Sequence, residues 1–204
     1  MTTTALIIEH LISGVQCLVW LILLVITLLG FDWIKLDQIK GTETFILPVL
    51  LAIAYPLGIF IDNLADDIFK RGERKITSNV LKVEGLGGKK LTMMQVMGEA
   101  NSEFAREYLG YVRSRVRLSR STVLNFILIT GIAVVFTLIR LSVLLGQSIR
   151  FIVICEVLCG LIIILFGFHS WYRSSQTFSK QIVRAHKARR NPGSEAKELV
   201  IAPN

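Results

Sequence analysis

The sequence predicts an all-α polytopic membrane protein: four transmembrane helices, with the second, third and fourth continued into the cytoplasm as amphipathic basic helices. Three observations carry this expectation. The 204-residue chain is apolar overall, with a mean hydropathy of +0.58. Four apolar runs, at 11–31, 45–61, 123–145 and 151–168, each approach the ~20 residues a helix needs to cross ~30 Å of hydrocarbon. The cationic side chains are divided unequally between the segments that join them. Residues 62–121 hold twelve Lys/Arg and residues 169–204 hold seven, whereas 32–44 hold two and 146–150 hold Arg150 alone. Cationic loops stay in the cytoplasm, which places both termini and residues 62–121 inside and the two short links outside. The expected location is the plasma (inner) membrane.

The first hairpin occupies 1–61. Residues 1–10 carry no Lys or Arg, and no small-residue cleavage site follows the apolar run, so the first span is expected to remain as an anchor. One of its faces collects Ser13, Gln16, Cys17, Trp20 and Thr27 at helical spacing, a stripe that suits helix–helix packing because polar groups facing lipid are costly. Phe31 and Trp33 sit where an interfacial aromatic belt is expected. The second span contains Pro48 and Pro56, and Pro56 removes a backbone hydrogen bond and should kink the helix. Past Ile61 the pattern turns amphipathic, with Leu64 and Ile68 against Asp62, Asp66 and Lys70, so the helix is expected to end near Arg71, before Gly72.

The basic segment 62–121 contains no long apolar run, and sixty residues are marginal for an independent core. The run 85–90, GLGGKK, lacks the glycine and hydroxyl spacing of a phosphate-binding loop and is read as a turn. From Glu99 to Ser121, Phe104, Tyr108, Val112 and Val116 recur every four residues and predict an amphipathic helix that feeds into the third span. The second hairpin, 122–168, passes into a basic helix with Trp171, Phe178, Ile182 and Ala185 on one side and Arg173, Lys180, Arg184 and Lys187 on another. Asn191-Pro192-Gly193 should end it, and the last dozen residues of 169–204 read as a tail.

Two constellations stand out. Arg140 and Glu156 each lie six residues from the ends of the short link 146–150, so in a tight hairpin both sit ~9 Å below the turn. An unpaired charge there costs a few kcal/mol, and an Arg140–Glu156 ion pair is the expected resolution, with snorkelling of Arg140 or a water-filled path as alternatives. Asn125 falls within about 60° of Arg140 on the third span at 100° per residue. The second constellation is RSRVRLSR at 113–120, where Arg113, Arg117 and Arg120 share a face. They read either as a collar for anionic headgroups or as braces to Asp62 and Asp66, which leave the second span at the same membrane surface; an anionic ligand or partner is the third option.

The chemistry of an enzyme is missing from the pattern. Cys17, Cys155 and Cys159 lie in apolar runs, and Cys155 and Cys159 have no third ligand for zinc. His10, His169 and His186 belong to no nucleophile, HExxH or EF-hand pattern, and no cofactor or metal is expected. The +8 net charge suits cytoplasmic loops beside anionic lipid better than nucleic acid. In layout, though in no motif, the chain is similar to small membrane subunits of bacterial defence and signalling systems. The expected function is a homo-oligomeric sensor, channel or effector subunit, its polar residues Gln16, Asn125, Arg140 and Glu156 facing a shared path. The alternative is a non-conducting scaffold that recruits a soluble partner through its basic helices, with a lipid-acting enzyme a distant third.

Overall fold

The structure, a computed structural model, describes residues 3–30, 43–85, 103–142 and 146–190. They form α1 (Thr3–Leu29), α2 (Glu43–Val83), α3 (Glu103–Phe136), a π-helical turn (Thr137–Leu141), a 3₁₀ turn (Gly146–Ser148) and α4 (Ile149–Arg190), with no strand among them. Four helices are long and apolar enough to cross a membrane: Leu6–Leu29, Thr44–Val83, Glu107–Leu141 and Ile149–Arg184. The expectations for Phe31 and Trp33, for the turn at 85–90 beyond Gly85, for the end of the third span past Ser142 and for the tail lie outside the described residues.

Each helix ends for a local reason. α1 stops at Gly30, whose φ of 82° is open to glycine and strained for other residues, and whose N–H closes on the Ile26 carbonyl at 2.9 Å. α2 runs through Pro48 and Pro56 as one helix and stops at Gly85, φ 73°. Its length corrects the expected end near Arg71, for the helix passes Gly72 and reaches Val83. Ile76 and Leu81 are buried on the extension, and their packing outweighs the ~1 kcal/mol that glycine costs inside a helix. α3 enters its span without a break at Ser119–Thr122. Its apolar stripe is Leu109, Val112 and Val116, while Tyr108, expected on that stripe, is exposed.

Contacts divide the chain into two compact units, and α2, α3 and α4 each contribute to both. The first, residues 2–68 and 117–171, holds the apolar spans. In it α1 and α2 meet backbone to backbone: a Cβ added to Gly14 would collide with the Ala54 carbonyl, and one added to Gly58 with the His10 carbonyl. The His10 and Tyr55 rings meet edge to face nearby, centroids 6.1 Å apart. α3 and α4 approach closely where Gly160 lies against Thr130 and Gly167 against Val123, and Ser119 and Ser170 share a hydrogen bond of 3.3 Å. Small residues that allow such approach are what membrane helices use in place of a hydrophobic drive. The outer faces are apolar, with Phe45, Phe60, Leu165 and Phe166 more than half exposed. Such surface suits lipid and would be an aggregation liability in water.

The second unit, residues 69–116 and 172–204, is built on Ile76, Leu81, Leu109, Val112, Val116, Ile182 and Val183. Ser175 and Ser179 are also buried; the Ser179 hydroxyl donates to the Ser175 carbonyl at 2.9 Å and shares a 3.0 Å hydrogen bond with Thr77. The Ser179 hydroxyl is thereby satisfied, whereas the Ser175 hydroxyl is buried with no hydrogen-bond partner.

Candidate functional site: buried polar groups and an exposed basic surface

Asn125 is the polar centre of the spans and is fully buried. Its amide nitrogen donates to the Ser13 carbonyl at 3.1 Å and to Gln16 Oε1 at 3.3 Å, and its Oδ1 accepts from Trp20 Nε1 at 3.1 Å. Gln16 and Trp20 of the α1 stripe thus bond Asn125 through their side chains and Ser13 through its backbone carbonyl, while the Thr27 hydroxyl donates to the Leu23 carbonyl at 2.7 Å within α1. With Ser13, Cys17 and Thr27 also buried, this face is filled by protein.

The arginines that end the amphipathic part of α3 are spent internally. Arg120, buried, donates to Asp66 Oδ1 at 2.5 Å and to Asp62 Oδ1 at 3.2 Å, and the Ser121 hydroxyl adds a 3.3 Å bond to the same Asp62 oxygen. One guanidinium thus bridges two carboxylates a helical turn apart on α2, the geometry its fork favours. Arg117 pairs with Glu9 of α1 at 3.1 Å. Between these pairs lies a polar cleft of about 10 Å³, lined by Glu9, His10, Ser13, Asp62, Arg117 and Ser121 among others, the size of one water. The expected three-arginine face is therefore not presented as a unit; Arg113 alone of the three is exposed.

The expected Arg140–Glu156 ion pair is not made. Arg140 donates from Nε to the Thr27 carbonyl and from Nη2 to the Leu28 carbonyl, both at 2.9 Å. These are among the last carbonyls of α1, which have no partner within their own helix, and the cation stands at the negative end of the helix dipole. Glu156 instead accepts a 2.7 Å hydrogen bond on Oε1 from the Thr137 hydroxyl. Equal depth and 100° spacing assume an unbroken α-helix, and the wider i→i+5 turn at Thr137–Leu141 re-aims Arg140. Because the two residues share no partner, the losses of folded yield caused by Arg140→Leu and Glu156→Leu in mild detergent should add in the double variant; recovery in the double variant would show direct coupling.

The second unit carries the remaining charge. Lys70, Arg71, Arg74, Lys75 and Lys82 of α2, Arg113 and Arg115 of α3, and Arg173, Lys180 and Arg184 of α4 are exposed. The side chain of Lys187 lies outside the described residues. Arg115 lies over the exposed Tyr111 ring, 5.8 Å from its centroid. The three ion pairs described above belong to the unit that holds the spans.

Sequence reasoning missed Glu9, Ser121, Thr137 and the close approach at Gly14 and Gly58. The Ala54-x-x-x-Gly58 spacing signalled the last of these. Among the described residues no group of three or more His, Cys, Asp or Glu side chains is placed to hold a metal ion. The class that fold and site define is a four-helix protein of membrane-spanning length whose buried Asn125 and Arg120 are bonded to neighbouring helices. No protein-family model, curated protein or solved structure matches the chain.

Proposed function

We propose that the protein is a non-conducting plasma-membrane anchor, both termini and residues 62–121 cytoplasmic, whose exposed basic helices bind a soluble anionic partner. The observation that carries this reading is that Asn125, fully buried, is bonded to the Ser13 carbonyl, Gln16 and Trp20 of α1. A channel needs polar groups held for water or ions, and here the stripe that suggested one is bonded within a single chain. The distribution of charge supports the second half of the reading. Arginines near the carboxylates of the spans are paired, whereas ten exposed cations on three helices of the other unit offer an electrostatic surface for an acidic partner. The inside orientation follows from the cation count of the loops.

Purified protein in planar bilayers should be electrically silent. In neutral phosphatidylcholine vesicles it should bind polyglutamate in a salt-sensitive way, and the combined Arg173→Glu, Lys180→Glu and Arg184→Glu variant should lose most of that binding. Steady conductance by the purified protein would overturn the anchor reading. Polyglutamate binding unchanged in the reversed-charge variant would remove the basic surface from it.

A further inference from the structure

One ionisable group in the spans is left over by this reading. Glu156 lies on α4 in the arm beside the 3₁₀ turn, and its carboxyl is only half satisfied. Oε1 accepts from the Thr137 hydroxyl, while Oε2 is buried with no hydrogen-bond partner. Its mount is unusual as well, for Thr137 is fully buried and opens the π-helical turn, a departure from α geometry that proteins retain mainly at functional positions. Among the described residues, the charged side chains nearest in sequence on the two arms are Arg140 and Arg150. Arg140 gives its donors to Thr27 and Leu28, and Arg150 is exposed. The thiols of Cys155 and Cys159 on the same helix are weak partners.

We propose that Glu156 and Thr137 form a proton-binding site inside the bilayer, with Oε2 as the atom that carries the proton. A carboxylate oxygen with no donor, and no ion pair among the described residues, is an expensive arrangement inside a span, and such groups mark proton sites and relays in membrane proteins. The proton is the ligand the donor set fits. Two side-chain oxygens fall far short of the six to eight that a calcium ion takes, or the octahedron that magnesium demands. Thr137 then donates to the carbonyl-like Oε1 and leaves Oε2 for the proton. The inference is independent of the anchor reading. It needs only that the hairpin lies in lipid, and it assigns no flow of protons through the chain.

The test uses dicyclohexylcarbodiimide, an apolar reagent that adds across the O–H of a protonated carboxyl and rearranges to a stable N-acylurea where water is excluded. Full-length protein in phosphatidylcholine vesicles should gain one adduct, mapped by peptide mass spectrometry to Glu156. Labelling should be unaffected by sodium and be lost entirely in Glu156→Gln, which keeps the shape of the neutral acid. A water-soluble carbodiimide should modify the exposed Asp67 and leave Glu156 untouched. No adduct at Glu156, or equal attack there by the water-soluble reagent, overturns the proposal. Protection by sodium overturns it in favour of a metal-cation site. Mapping on the unaltered chain keeps the result decisive even if the Gln variant folds poorly.

Discussion

Gly58→Ala is expected to cost about 3 kcal/mol, at the upper end of the range for overpacking. The added methyl meets the His10 carbonyl, and backbone, unlike a side chain, cannot rotate away. Gly14→Ala should behave alike against the Ala54 carbonyl, and the two together should separate α1 from α2. Gly131→Ala is the control. Nothing lies within 4 Å of its added Cβ, so it should be neutral or gain up to about 1 kcal/mol of helix propensity. Unfolding midpoints in mixed detergent–SDS micelles measure all three. Equal behaviour of Gly58→Ala and Gly131→Ala would mean that α1 and α2 do not cross at these glycines.

Arg120→Met should cost about 3 kcal/mol by the same measurement. It keeps most of the side-chain volume but strands Asp62 and Asp66 beside each other without their shared cation. Breaking a buried pair from one side typically costs about 3–5 kcal/mol, and the lower figure applies because Asp66 is 47% exposed and partly screened. Adding Asp62→Asn and Asp66→Asn to Arg120→Met should recover a large part of the loss, since no charge is then left alone. Arg113→Met, by contrast, should leave stability unchanged, because that side chain is exposed.

The sequence displays the spans because their signal is long and redundant: some twenty apolar residues outvote any local exception, Pro48 and Pro56 included. Polar partners are legible only when both members carry a recognisable side chain and leave their helices at one membrane surface. Arg120 with Asp62 and Asp66 satisfies that condition, and bracing was among the readings their positions allowed. Arg117 with Glu9 does not, because nothing in the spacing says that α1 rather than α2 lies opposite. Arg140 is harder still. Its partners are the carbonyls of Thr27 and Leu28, and a backbone acceptor has no letter in the sequence. The π turn has none either, yet it re-aims a side chain and so overturned the one intramembrane ion pair that depth arguments favoured. Gly72 failed in the opposite direction, its local preference overridden by packing further along α2.

The reach of Arg140 back to α1 has a consequence for how the chain is made. The guanidinium lies 113 residues after the Thr27 carbonyl it binds, and Asn125 lies 105 after Trp20. At ~5–20 residues per second, the ribosome needs roughly 5–20 s after finishing the first helix to supply both. Through that interval the Thr27 and Leu28 carbonyls, the Trp20 indole and the Gln16 amide lack the partners that α3 gives them in the folded chain. A chain that stops before its third span keeps those defects permanently. The first helix thus completes its polar contacts only once the third has been made.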